Sequence, residues 1–373
     1  MQRIQLNQIL KDLTKKMVFL AGPRQVGKTF IAKEVARHYK HSLYLNYDDL
    51  ADRKLIESQA WLANTDLLIL DELHKMPGWK NYLKGVYDTK PEKLHILVTG
   101  SARLDILGKV GDSLAGRFFL HHLLPLSVAE LTQTQQPIDL DRLLTRGGFP
   151  EPYLAAVSVD AERWRLQYCD AILTGDVFEI ENLQSIQALR LLFELLRTKV
   201  GSSISYQSLA EDIGIAPATV KKYINVLEVL YVVFRVTPFS KNIARSLLKE
   251  PKIYFFDTGL IKGDVGAQLE NLVAVSLLKH VYAKIDYAAE RYSLHYLKTK
   301  EGVEVDFALA KENKIEQIIE VKHNDTDISK ALYNFHKKYH FHAVQIVKEL
   351  RHERQADQIK VLKAESFLEQ LVL

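Results

Sequence analysis

The segment Gly22-Pro23-Arg24-Gln25-Val26-Gly27-Lys28-Thr29 limits the possible folds of this chain more than any other. It is a full GxxxxGK[ST] phosphate loop set directly behind the apolar run Met17-Val18-Phe19-Leu20. Two glycines at this spacing let successive backbone N–H groups turn inward around phosphate oxygens. The lysine then reaches the β and γ phosphates, and the next hydroxyl reaches Mg²⁺. Such a loop needs a strand before it and a helix after it. Over 28–39, Phe30, Ile31 and Val35 recur at helical spacing, with Lys33, Glu34 and Arg37 on the other faces. The expectation is an α/β fold built on a parallel sheet. Residues 22–29 would bind ATP, and Thr29 would also ligate the metal.

Two further runs extend this module. Asp66-Leu67-Leu68-Ile69-Leu70-Asp71-Glu72 reads as a buried parallel strand ending in two acids. Asp71 would hold Mg²⁺ through water, and Glu72 would polarise the attacking water, so the pair implies hydrolysis as well as binding. Two acids that merely cap a strand are the competing reading, which the upstream phosphate loop disfavours. His95-Ile96-Leu97-Val98-Thr99-Gly100-Ser101 reads as a third strand, placing Thr99 or Ser101 where a γ-phosphate is sensed; Thr-Gly-Ser also forms ordinary turns. Arg117, ahead of the β-like run 118–124, suits a residue acting in trans on a neighbouring subunit's nucleotide, or else a surface arginine in an ion pair.

At 373 residues, with 47% hydrophobic and 26% charged positions, the chain calls for several globular domains and not for disorder. A net charge of +4 is a mild basic excess, compatible with an anionic partner but far from a nucleic-acid coat. The single Cys169 excludes an internal disulfide and a cysteine zinc cluster and fits a reducing cytoplasm. His121-His122 is expected to decorate a strand or its edge and not to bind metal. No run approaches the ~20 apolar residues of a membrane span, and the first residues lack a signal-peptide pattern. The expectation is a soluble, cytoplasmic protein with no membrane partner.

Taken together, the chain resembles bacterial and archaeal AAA+ ATPases that join an N-terminal AAA module of the AAA_14 type to a C-terminal domain of unknown function, DUF4143. The resemblance is carried by GPRQVGKT at 22–29, LDELHK at 70–75, TGSARL at 99–104, LAGRFF at 114–119, LPLSVAEL at 124–131 and GGFP at 147–150. It spans essentially the whole chain and implies an AAA+ fold assembling as a homo-oligomer, without supplying a biological role. At 173–177 the chain reads Leu-Thr-Gly-Asp-Val, so Gly175 stands where the family often has an arginine.

Four domains are expected: a P-loop ATPase core over 1–135, a helical lid or connector over 136–200, a winged helix-turn-helix over 201–257, and a nuclease-like α/β domain over 258–373. The polar break at 132–141, which carries Pro137, separates the first two. In the third, Tyr206 to Gly214 reads as a short helix with a glycine stop, and Pro217 opens a second helix over 218–230. That helix turns Lys221 and Lys222 outward. The wing strands are expected at 231–236 and 252–256, and between them Lys241, Arg245, Lys249 and Lys252 form a basic series able to follow a phosphate backbone. Winged helices also serve as protein-docking modules, which is the alternative.

In the fourth domain, a helix starts at Gln268, and strands at 302–309 and 318–322 are joined by a turn near Glu312-Asn313, a hairpin that brings Asp306 beside Glu320 and Lys322. This resembles the PD-(D/E)xK nuclease core. The resemblance implies that Asp306 and Glu320 ligate Mg²⁺ with help from Glu270, and that Lys322 orients or activates water. An Glu-Val-Lys strand also arises by simple alternation. The tail is expected to give strands at 344–347 and 359–362, a solvated loop at 348–358 between them, and a helix over 364–373.

The reading as a whole is a Mg²⁺-dependent ATPase that couples ATP turnover to binding or remodelling of single-stranded, duplex or branched DNA. The alternatives are a nucleotide-switched protein-interaction module and a metal-dependent DNA nuclease.

Overall fold

The structure, a computed structural model, describes residues 3–100, 114–135, 137–177, 185–240 and 250–373. The chain divides into two compact units, one of residues 1–124 with 229–231, the other of 125–228 with 232–373.

In the first unit, helices α1 (Leu6–Leu13), α2 (Lys28–Ala36), α3 (Leu50–Ser58) and α4 (Trp79–Thr89) accompany strands β1 (Met17–Ala21), β2 (Ser42–Asn46), β3 (Leu67–Asp71), β4 (His95–Gly100) and β5 (Phe118–His122). Every strand pair is parallel, in the order β2-β3-β4-β1-β5. β1 and β3 are buried along their whole length, as their unbroken apolar runs require of strands covered on both faces. The register sets Asn46 beside Asp71, Asp71 beside Thr99 and Ala21 beside Gly100, which aligns the carboxyl ends of four strands. On α2, Ile31 and Val35 are buried as expected, whereas Phe30 is 43% exposed and does not share their face. His121 lies on the edge strand β5 with Nε2 3.0 Å from Asp12.

The second unit opens with helices α5 (Val128–Gln133), α6 (Leu140–Arg146), α7 (Pro150–Leu154), α8 (Ser158–Ala171) and α9 (Ile186–Thr198). Two buried contacts hold its first residues. Lys279 donates to Glu130 at 2.5 Å and to the Pro125 carbonyl at 3.0 Å. The glycines of the GGFP segment do the rest. Gly148 runs so close to Leu126 that a Cβ would stand 2.5 Å from its carbonyl oxygen, and Gly147, at φ +74°, would place one 1.6 Å from Asp257 Oδ1. Only glycine satisfies both the left-handed backbone and that approach.

Next come α10 (Tyr206–Ile213) and α11 (Pro217–Val229). Ser205 caps α10 through the Ser208 N–H, Gly214 closes it at φ +79°, and Pro217 occupies the first turn of α11. The remaining elements are β6 (Val233–Pro238), β7 (Lys252–Phe255), α12 (Val265–Ala288), β8 (Tyr292–Lys298), β9 (Glu304–Lys311), β10 (Lys314–Lys322), α13 (Lys330–Tyr339), β11 (His342–Val347), β12 (Arg354–Ala356), β13 (Ile359–Lys363) and α14 (Ala364–Glu369). Eight strands form one sheet in the order β12-β13-β11-β10-β9-β8-β6-β7. The β9–β10 hairpin turns at Glu312 and Asn313, both at positive φ, where the sequence places it.

The structure changes two expectations here. β6 and β7 pair antiparallel as wing strands would, but the end of β6 continues in parallel register with β8, so the pair forms one edge of the larger sheet. The stretch 348–358 is not simply a loop: β12 turns back through Asp357 and Gln358 to pair with β13.

Candidate functional site

The phosphate loop joins β1 to α2 at the carboxyl edge of the parallel sheet. Gly22 passes against Leu123, where a Cβ would lie 2.0 Å from the carbonyl oxygen, and Gly27 takes φ +101° at the start of α2. Pro23 and Val26 are buried while Arg24 and Gln25 are exposed at the tip, Gln25 at φ +61°. The Lys28 ammonium is folded back into the loop, donating to the carbonyls of Gly22 (2.9 Å) and Pro23 (2.7 Å). Burial lowers its pKa to about 8, against the raising influence of Glu72 and Asp71. A buried ammonium met by neutral carbonyls is poised to gain from phosphate oxygens.

Across the sheet edge, Thr29 Oγ1 donates to Asp71 Oδ2 at 3.1 Å, so the two expected metal ligands meet although 42 positions separate them. Asp71 is buried and accepts three further donors: the Tyr44 hydroxyl, the Thr99 hydroxyl and the Glu72 N–H at 3.1 Å. A hydroxyl and a fixed carboxylate at the foot of a phosphate loop suit a hard cation held partly through water, so these residues fit Mg²⁺. Glu72 sits at φ +55° directly after β3, with Oε2 3.4 Å from His74 Nδ1. Burial raises its carboxyl pKa, only partly offset by Lys28, as suits a group that must accept a proton.

Thr99 faces Asp71, while Ser101 lies outside the described residues. Arg117 forms a two-pronged pair with Asp88, Nε–Oδ1 at 2.8 Å and Nη2–Oδ2 at 3.1 Å, near the surface. Two residues that no motif singles out support the site. Tyr44 comes from the adjacent strand β2. Arg3 is buried, donating to the carbonyls of Val26 (2.8 Å) and Leu124 (2.6 Å), and so braces the phosphate loop.

In the second unit, the hairpin sets Asp306 beside β10: its Oδ2 accepts the Val321 N–H at 2.9 Å. Glu320 is buried with Oε1 2.8 Å from Lys322, and its Oε2 has no hydrogen-bond partner. Burial, then the Asp306 charge, raise its pKa. Glu270 approaches from α12, accepting the Tyr254 hydroxyl at 2.6 Å, and burial with Asp306 likewise raises its pKa.

Yet the cation among these acids is Lys252. Its Nζ lies 2.7 Å from Glu304, 3.4 Å from Glu270 and 3.5 Å from Asp306. Among the described residues, no group of three or more His, Cys, Asp or Glu side chains is arranged to hold a metal ion. The acids as they stand do not fit Mg²⁺. Lys252 is 1% exposed, which removes it from the basic series expected to face a phosphate backbone. Lys241, Arg245 and Lys249 lie outside the described residues. Lys221 and Lys222 are exposed on α11. No described helix is long and apolar enough to cross a membrane.

Residues 14–132 match the family model of the AAA domain, residues 138–268 match the domain of unknown function DUF8612, and residues 265–367 match the domain of unknown function DUF4143. The chain is 29% identical over 246 residues to the uncharacterized protein Rv2008c of Mycobacterium tuberculosis; the match covers 66% of this chain and 55% of that protein, so the chain spans about half the length of this relative. It is 24% identical over 379 residues to the uncharacterized protein MJ1637 of Methanocaldococcus jannaschii, covering 85% and 77% of the two chains. A solved structure similar to it is the Walker-type ATPase PABY2304 of Pyrococcus abyssi, with 12% identity, 71% of this chain and 94% of that one covered, and a TM-score of 0.45. The chain thus joins a region that matches the AAA domain to a C-terminal region that matches DUF4143, and its first unit has the parallel sheet and phosphate loop of a P-loop fold.

Proposed function

We propose that this protein is a Mg²⁺-dependent ATPase whose turnover is coupled to DNA through its second unit. The observation that carries the reading is the convergence of Lys28, Thr29, Asp71 and Glu72 at the carboxyl edge of one parallel sheet. Residues 22–29 hold the triphosphate, Lys28 meets its β and γ oxygens, Thr29 and Asp71 hold the ion, and Glu72 takes the proton of the attacking water. Mg²⁺ neutralises the phosphate charge when bound. The protein's own work is to align these groups and to keep Glu72 partly desolvated.

The coupling to DNA is supported by the α10–α11 pair, read here as the helix-turn-helix of a winged domain over 201–257, whose second helix carries the exposed Lys221 and Lys222. The flanking divisions, 1–135 for the ATPase core, 136–200 for a connector and 258–373 for a nuclease-like domain, belong to the same reading. So do a homo-oligomeric assembly and action of Arg117 on a neighbouring subunit's nucleotide, for which Arg117 would leave Asp88.

The test is the ATPase rate with and without single-stranded, duplex and branched DNA, with Glu72→Gln as the control. The expected result is stimulation by one form that falls steeply with salt and is lost in a Lys221→Glu, Lys222→Glu double variant. A rate indifferent to all three would replace the DNA coupling with a nucleotide-gated protein-docking switch.

A further inference from the structure

The Lys252 side chain is 2% exposed, yet it rises from β7, an edge strand, into a ring of acids. Glu270 comes from α12, and Glu304 and Asp306 come from alternate positions of β9, so the cluster joins two distant parts of the second unit. Glu304 takes the shortest contact, 2.7 Å, and shares its other oxygen with Lys298 at 3.4 Å. The Tyr296 ring lies 5.5 Å from the ammonium, and Tyr254 fixes Glu270. Gly201 closes one side so tightly that a Cβ there would be 2.7 Å from the Glu270 carboxylate.

Three carboxylates gathered this closely need a cation, and a buried ammonium needs carboxylates. Each requirement is met by the other. Glu320 turns away to Lys322, and one oxygen of Asp306 is taken by the Val321 N–H, so the remaining acids do not reassemble around a second ion.

We propose that the Lys252 ammonium is the resident cation of the Glu270, Glu304 and Asp306 cluster, standing in place of the Mg²⁺ that the nuclease resemblance implies. The second unit therefore assembles without a divalent ion at this position. Its acids serve to lock β7, β9 and α12 together, with no metal-activated water to attack a phosphodiester. This inference is independent of the ATPase reading and stands whether or not the first unit hydrolyses ATP.

The experiment is Mn²⁺ binding, followed by electron paramagnetic resonance, on the nucleotide-free full chain carrying Asp71→Asn to disable the phosphate-loop ion site. The expected result is no tightly bound Mn²⁺ while Lys252 is present. Adding Lys252→Met should create one bound Mn²⁺ and lower the unfolding midpoint of the second unit by about 10 °C, with Mn²⁺ restoring part of the loss. One Mn²⁺ bound with Lys252 intact, and lost on Asp306→Asn, would overturn the proposal. So would a Lys252→Met chain that melts where its parent does. The arm with Lys252 intact keeps the test decisive even if Lys252→Met does not fold.

Discussion

The Tyr44 hydroxyl donates to Asp71 Oδ2, the same oxygen that accepts from Thr29 Oγ1. The phenol reaches it from β2, the neighbour of β3, and burial followed by this bond pushes its pKa above the ordinary tyrosine range. Tyr44 thus orients the carboxylate expected to face the ion. Tyr44→Phe should slow ATP turnover roughly tenfold while leaving nucleotide affinity nearly unchanged, the pattern of a residue that positions a ligand. Parallel measurement of kcat and of nucleotide binding separates the two; a loss confined to affinity would remove Tyr44 from this role.

Lys28 gives a pH signature. Its ammonium is depressed to about pKa 8 in the free protein, and bound phosphates favour the charged form. Nucleotide affinity should be flat below pH 8 and fall above it by up to about tenfold per unit, because binding must then take up a proton. Titration calorimetry in two buffers of different ionisation enthalpy at pH 8.5 should detect that uptake. Lys28→Ala should abolish both the binding and the slope.

Glu72→Gln preserves size and suits the left-handed backbone at this position no worse than the native residue. It should bind ATP normally and hydrolyse it about a hundredfold more slowly, as expected for loss of a general base. Single-turnover hydrolysis is the direct measurement, and an unchanged rate would exclude Glu72 as the base.

Gly147→Ala should be among the most damaging small substitutions in the chain. The added methyl meets both a positive φ and the Asp257 carboxylate, and a cost of roughly 3 kcal/mol or more is expected. Urea unfolding of the second unit should show it, with nucleotide binding by the first unit retained.

Asp257 itself is buried, and burial raises its pKa to about 6 despite Arg165. The folded state therefore holds a proton there that the unfolded chain has already released, so stability should decline as pH rises from about 4 to 6. The contribution is on the order of 3 kcal/mol at most. Asp257→Asn should flatten this part of the profile, and a profile of unchanged slope would refute the assignment.

The sequence makes the nucleotide site readable because its groups are contiguous: a loop that wraps phosphate must be one short segment, and an acid pair must end one strand. The β9–β10 hairpin is readable for a similar reason, since alternation and a turn are local. Tyr44 and Arg3 are not, because what they touch depends on strand order and on a chain crossing far along the sequence. Lys252 misleads outright. Beside Lys241, Arg245 and Lys249 its charge suggests a surface, and only the arrival of α12 and β9 turns that charge inward. β12 is hidden likewise: Arg354, Gln355 and Ala356 form a strand only because β13 offers an edge.

The pairing of Glu130 with Lys279 bears on how such chains can be divided and shuffled. The AAA match runs to residue 132, but the N-terminal stretch of the compact first unit ends at 124, and of the eight residues between, Pro125 and Glu130 are held by Lys279 on α12 of the second unit. A fragment ended at 132 would carry off the carboxylate and carbonyl that Lys279 needs and leave an apolar tail, Leu126 to Leu131, without its seat. Any exchange of ATPase modules between relatives would have to make its join upstream of Pro125. The segment LPLSVAEL therefore serves two masters: the AAA match includes it and its first carbonyl accepts from Arg3 of the nucleotide unit, while Pro125 and Glu130 are held by Lys279 of the second unit.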